Sequence, residues 1–227
     1  MQKTFVISLG GSLVCPEAGR VDTVFLKKFR AVVLRYIKRG NRFAIIVGGG
    51  KLARVWQNAA RTLGVKNSDA LDWVGIRATQ ANMELVRVIF GREAVSHVVM
   101  DPHEKPDIFR ILFGAGFKPG VTSDYDAVVR AKTVGAHTVI NLSNVPYVYD
   151  KDPRKHKSAN PLRTLSWTQY LGMIGGRFAP GMNAPFDPIA SKTAYRAGIS
   201  VAFMDGRDVK NFERFLQGKK FNGTIIS

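Results

Sequence analysis

Phe5-Val6-Ile7-Ser8-Leu9-Gly10-Gly11-Ser12 and Phe43-Ala44-Ile45-Ile46-Val47-Gly48-Gly49-Gly50-Lys51 are two short apolar runs that each end in glycines. Runs of this length and type read as strands buried on both faces. Between them Phe25, Phe29, Val32, Val33, Tyr36 and Ile37 recur at helical spacing, with Asp22 or Thr23 available as N-cap and Gly40 as stop. Strand, helix, strand in one direction requires a crossover, and so a parallel pair.

The same alternation continues to the end of the chain. Helices are expected over Leu52–Leu63, Asp69–Phe90, Asp124–Val134, from Ser166, and over Pro185–Arg196. Strands are expected at Val95–Met100, Ile111–Phe113, Thr138–Leu142 and Ile199–Met204, with Gly223-Thr-Ile-Ile as a closing edge. The fold class is therefore α/β, a mostly parallel sheet covered on both faces, in one domain with room for two lobes. The Lys151–Pro161 loop is polar but too short to link domains.

The composition limits the function. The chain has 227 residues with 34 Lys and Arg against 17 Asp and Glu, a net charge of +17. Hydrophobic residues at 45% and aromatics at 10% supply a core and exclude a mostly disordered chain. No apolar run is long enough for a spanning helix, and the first residues lack the apolar core of a signal peptide. The single Cys15 cannot form an internal disulfide, which suits a cytoplasmic protein. The charge favours anionic partners. Because the basic residues are dispersed, a solvated surface is preferred over a dedicated nucleic-acid groove.

In open α/β sheets ligands bind beyond the carboxyl ends of the strands. Gly10-Gly11-Ser12 and Gly48-Gly49-Gly50-Lys51 fall at two such ends. Glycine lets backbone approach a phosphate, and the helix that follows turns free N–H groups toward it. Neither loop has the P-loop or dinucleotide spacing. A third loop, Gly114 to Asp124, places Thr122, Ser123 and Asp124 at a helix start, where Ser123 alone reads as an ordinary cap. A fourth, Asn141 to Arg154, supplies rings, acids and bases suited to adenine and phosphates. His97, His103, His137 and His156 lack metal-ligand spacing.

These segments, in order, resemble the amino acid kinase family, and within it the prokaryotic uridylate kinases, of the archaeal type. The match rests on Gly10-Gly11-Ser12, Gly48-Gly49-Gly50 with Arg54, Asp72-Trp-Val-Gly75 with Ala78-Thr79 and Asn82, and Thr122-Ser123-Asp124. It continues through Asn144-Val145, Val148-Tyr149, Asp152-Pro153, Asp187-Pro188-x-Ala190 and Gly223-Thr224. The resemblance implies a three-layer fold, with an acceptor lobe over about residues 1–135 and an ATP lobe over 136–227. It also implies transfer of the ATP γ-phosphate to UMP, a Mg²⁺ requirement and assembly as a homohexamer.

By the same resemblance Gly48, Gly49, Gly50, Arg54, Asp72, Gly75 and Thr122 would hold UMP. Gly10, Gly11, Ser12, Asn144, Tyr149 and Asp152 would serve ATP. Asp124 would organise the phosphates or their Mg²⁺, with Asp187 a further acid nearby. Many family members carry Lys where this chain has Ser8, and Lys51 is the replacement expected to supply the catalytic cation. Pro146-Tyr147 stands where Asp-Gly is usual, which stiffens the adenine-side loop. Two alternatives remain open: a kinase of this family with a carboxylate or isoprenoid-phosphate acceptor, and a member that binds nucleotide or nucleic acid without turnover. The isoprenoid-phosphate kinases use a His in the loop where this chain has Lys51, which argues against that acceptor.

Overall fold

A computed structural model describes residues 2–93, 98–153, 155–175 and 185–227. In chain order the elements are β1 (Thr4–Leu9), α1 (Gly11–Val14), α2 (Thr23–Lys38), β2 (Arg42–Val47), α3 (Gly50–Thr62) and α4 (Ser68–Phe90). A 3-10 turn (Gly91–Glu93), β3 (Ile111–Gly114), α5 (Ser123–Thr133), β4 (Thr138–Ser143) and β5 (Val148–Tyr149) follow. The chain finishes with β6 (Pro161–Leu162), β7 (Thr164–Leu165), α6 (Trp167–Ile174), α7 (Pro188–Ala197), β8 (Ser200–Asp205), α8 (Val209–Leu216) and β9 (Thr224–Ile226).

Seven strands form one sheet in the order β3-β2-β1-β4-β8-β9-β7, parallel except where β9 runs antiparallel to β8. The order reverses at β1, whose neighbours are β2 and β4, so a crevice opens at its carboxyl end. β5 and β6 make a separate small ribbon.

Strand alternation assigns the two faces. Ile7, Leu9, Ile45, Val47, Ile140 and Leu142 pack with α2, α4 and α8. Val6, Ala44, Ile46, Val139 and Val201 pack on the other side with α5, α6 and α7. Such two-sided burial keeps these strands apolar throughout. The period of two therefore makes Ser8 and Asn141 conspicuous: both lie on the α5 side, and the register pairs them directly.

Helix limits follow their caps. Asp22 accepts from the Phe25 N–H at the start of α2, and Gly40, at φ +85°, lies just beyond its C-cap Arg39. The helix expected from Pro185 starts instead at Pro188, because the Asp187 side chain caps the N–H groups of Ile189 and Ala190. Gly223-Thr-Ile-Ile is not the sheet edge, since the two-residue β7 pairs outside β9. Of the strand expected over Val95–Met100, residues 98–100 are irregular and 95–97 lie outside the described residues, as does His97. Cys15 is buried and its thiol donates to the Glu17 carbonyl. Among the described residues no helix is long and apolar enough to cross a membrane.

Candidate active site

The two glycine loops meet at the carboxyl ends of β1 and β2. A Cβ on Gly11 would lie 2.2 Å from the Gly48 carbonyl oxygen, and one on Gly50 2.3 Å from the Gly11 carbonyl carbon. Gly50 also has a φ of +57°, so two backbones touch where only glycine fits. Asn82 of α4 fastens the second loop from behind, its amide donating to the carbonyls of Gly48 at 2.9 Å and Gly49 at 3.2 Å.

Each loop feeds a helix. Neither α1 nor α3 has a capping side-chain bond at its start, whereas α2, α4, α5, α6, α7 and α8 all do. Uncapped N-terminal N–H groups are open donors for an anion. Between the loops lies a cavity of about 200 Å³ lined by Gly10, Gly11, Ser12, Gly48, Gly49, Gly50, Arg54, Asp124 and Asn144, with Ser8, Asn141 and Ser123 among its further walls.

Asp124 stands at the centre of a polar network in that cavity. Its Oδ1 accepts from Ser8 Oγ at 2.7 Å and from Asn141 Nδ2 at 2.9 Å, and the Asp187 backbone N–H also donates to the carboxylate. Burial, then the nearby Asp187 charge, push its pKa up to about 7 against the pull of these bonds. Burial also raises Asp187, opposed by the Thr122 hydroxyl, which donates to Asp187 Oδ2. Two neighbouring carboxyl groups held above their usual range, one of them lining the cavity, are an arrangement that a bound cation relieves.

Of the other residues expected in the site, only Arg54 and Asn144 reach the cavity wall. Arg54 lines the cavity and donates to Ser12 Oγ at 3.3 Å. Lys51 is exposed in the first turn of α3, off the cavity wall. Asp72 is half-buried on α4 and accepts from the Gly120 N–H at 2.9 Å. At Gly75 the space for a Cβ is taken by Gln57 Nε2, 2.6 Å away, so this glycine lets α3 pack on α4. Thr122, not Ser123, caps α5, accepting from the Tyr125 N–H, and Ser123 is thereby free to face the cavity. Asn144 takes an Arg207 guanidinium bond on its carbonyl. Tyr149 pairs edge-to-face with Tyr147, whose ring carries Arg163, and Asp152 lies in the adjoining loop.

Asn82, Asn141 and Ser123 are the site residues whose roles the sequence did not disclose. The signal was a polar side chain in a segment otherwise buried, most plainly Asn141 inside Val139-Ile140-Asn141-Leu142.

Residues 3–205 match the model of the amino acid kinase family. A protein named uridylate kinase from Methanospirillum hungatei is 34% identical over 99% of this chain and 94% of its own length. One of the same name from Thermoplasma volcanium is 31% identical over 96% and 95%. The crystal structure of uridylate kinase from Archaeoglobus fulgidus superposes with a TM-score of 0.82 at 30% identity, covering both chains completely. That of UMP kinase from Bacillus anthracis, at 20% identity and a TM-score of 0.79, shares the fold. The chain belongs to the amino acid kinase family.

Proposed function

We propose that this protein is an ATP-dependent UMP kinase, which transfers the γ-phosphate of ATP to UMP and releases UDP and ADP. The observation that carries the reading is the meeting of two uncapped helix starts, α1 and α3, at touching glycine loops above Asp124. Full-length similarity to proteins named uridylate kinase supports UMP as the acceptor. The acceptor oxygen belongs to a phosphate that is already ionised, so the site needs no general base. It needs alignment and charge stabilisation.

The chain's own groups supply both. N–H groups from the α1 start receive ATP phosphates, and those from α3 receive the α-phosphate of UMP, with Arg54 as a charge-assisted partner. Asp72 accepts from the ribose hydroxyls of UMP, with Gly75 and Thr122 along the same acceptor wall. Asn144, Tyr149 and Asp152 hold the adenine nucleotide. Lys51, on a flexible stem at the rim, is the cation for the transferring group.

Among the described residues no three His, Cys, Asp or Glu side chains form a metal cluster. Asp124 and Asp187 nonetheless fit a Mg²⁺ carried by the nucleotide, because such an ion takes most of its ligands from phosphate and water and only one or two from carboxylates. Asp124 is the first candidate to hold it, and Asp187 the second. When bound, the ion neutralises part of the charge on the triphosphate that would repel the acceptor.

The same proposal includes assembly as a homohexamer in the cytoplasm. Its support is α3, which buries no residue within the chain and leaves Val55 and Trp56 exposed, as is Trp73 of α4, the helix that α3 packs on. Sedimentation of a single species of six chains is expected, and a stable monomer at working concentration contradicts it. An acceptor panel with ATP tests the activity itself.

A further inference from the structure

Basic residues occur along the whole chain, yet two segments hold an excess of them. Residues 23–40 contain six Lys and Arg and no acid, and residues 209–227 contain four with only Glu213 against them. These two segments thus carry nine of the seventeen net charges. They are also neighbours in space: Phe29 of α2 stacks on Phe212 of α8, with ring centroids 5.9 Å apart, and Arg35 pairs with Glu213 across the two helices. That pair engages the one acid within the two segments, and the acids just before them, Asp22 and Asp208, accept backbone N–H bonds as the caps of α2 and α8.

Helical period decides what this surface shows. Phe25, Leu26, Phe29, Val32, Val33, Tyr36 and Ile37 are buried, which turns Lys27, Lys28, Lys38 and Arg39 outward. On α8 the inward set is Val209, Phe212 and Leu216, and Lys210 and Arg214 are exposed. Lys27, Lys28, Lys38 and Lys210 have no ion pair among the described residues. None of these residues lines the nucleotide cavity.

We propose that the outer face of α2 and α8 binds the phosphate backbone of a nucleic-acid duplex, apart from the nucleotide site. From Lys27 to Arg39 the basic stripe on α2 runs for about 18 Å, long enough to follow several phosphates. The face favours a duplex over a single strand because α2 and α8 expose no aromatic ring on which bases could stack. It favours nucleic acid over a lipid surface because its one large exposed apolar side chain is Val24, too little to insert beside the lysines. Contacts to phosphate carry no sequence information, so binding is expected to be independent of sequence and steeply dependent on salt.

Fluorescence anisotropy with a short mixed-sequence duplex, DNA and RNA in parallel, tests this at several salt concentrations. The expected result is micromolar binding at low salt, with a log–log salt slope of roughly −4 to −5 if about five phosphates are contacted. Two fourfold variants remove the same charge. Lys27→Glu, Lys28→Glu, Lys38→Glu and Lys210→Glu together are expected to weaken duplex binding at least about tenfold and flatten the slope, with UMP phosphorylation and thermal unfolding unchanged. Lys66→Glu, Lys105→Glu, Lys155→Glu and Lys157→Glu together are expected to leave most of the duplex affinity in place. Equal losses in both variants would show that net charge alone is responsible and overturn the proposal. So would absence of binding at low salt, or retention on phosphatidylserine vesicles without binding to either duplex.

Discussion

Ser8 donates its hydroxyl to Asp124 Oδ1 across 2.7 Å, tying the end of β1 to the first turn of α5. Asn141, paired with Ser8 in the β1–β4 register, donates to the same oxygen. Ser8 therefore serves to orient an acid, and under the proposed function a cation for the transferring group comes from another position.

Ser8→Ala removes a hydrogen bond to a charged group, typically worth about 1.5–3 kcal/mol. We expect kcat/KM to fall by roughly ten- to a hundredfold, while Ser8→Thr, which keeps the hydroxyl, retains clearly more activity. Steady-state kinetics of the two variants decide it; equal loss in both would assign Ser8 to packing alone.

Lys51 is the expected source of the missing cation. Removing one preorganised donor to developing charge costs ~10²–10³ in kcat. Lys51→Met should lose about that factor with a smaller change in UMP affinity. Turnover at the wild-type rate would move the cation elsewhere, with Lys118 of the third loop next in line.

The fold was largely legible because burial on both faces imposes continuous apolar strands, and glycines mark where they end. Asp22 and Gly40 set the limits of α2 as their chemistry requires. The two-residue β7 was not legible, since so short a strand has no pattern of its own and exists only through its pairing with β9. In the site, the glycine loops and Asp124 stood out, but Asn82 and Asn141 acquire meaning only once α4 is laid behind the loop and β4 is registered on β1. Gly75 has a packing role that the sequence did not disclose: its missing side chain makes room for Gln57.

Asp72 already holds the Gly120 N–H of the third loop through one oxygen, and the role proposed for it, accepting from the ribose hydroxyls of UMP, predicts a selective effect. Asp72→Ala should raise the apparent KM for UMP far more than that for ATP. Substrate-saturation curves for both nucleotides measure this, and matched increases would remove Asp72 from the acceptor site.

Asp126 is 1% exposed, with Oδ2 bonded to the Phe117 N–H and Oδ1 without a hydrogen-bond partner among the described residues. Burial, chiefly, raises its pKa from 3.8 to about 7. A carboxyl whose folded value lies above its unfolded value takes up a proton on folding, so its contribution is full below 3.8 and is lost as pH rises through about 7. Asp126→Asn cannot ionise. Urea unfolding at about pH 5 and about pH 8 should therefore show the variant gaining on the wild type at the higher pH; an unchanged gap would mean that Asp126 does not titrate in this window.

Phosphoryl transfer to UMP is measured by ADP release from Mg²⁺-ATP in the presence of UMP, CMP, a carboxylic amino acid or isopentenyl phosphate, with UDP identified as product. Stoichiometric UDP and ADP are expected with UMP, weaker or no turnover with the other acceptors, and loss of activity in excess EDTA. Turnover on the amino acid or isopentenyl phosphate with none on UMP, or UDP formation undiminished by EDTA, would contradict the proposed function.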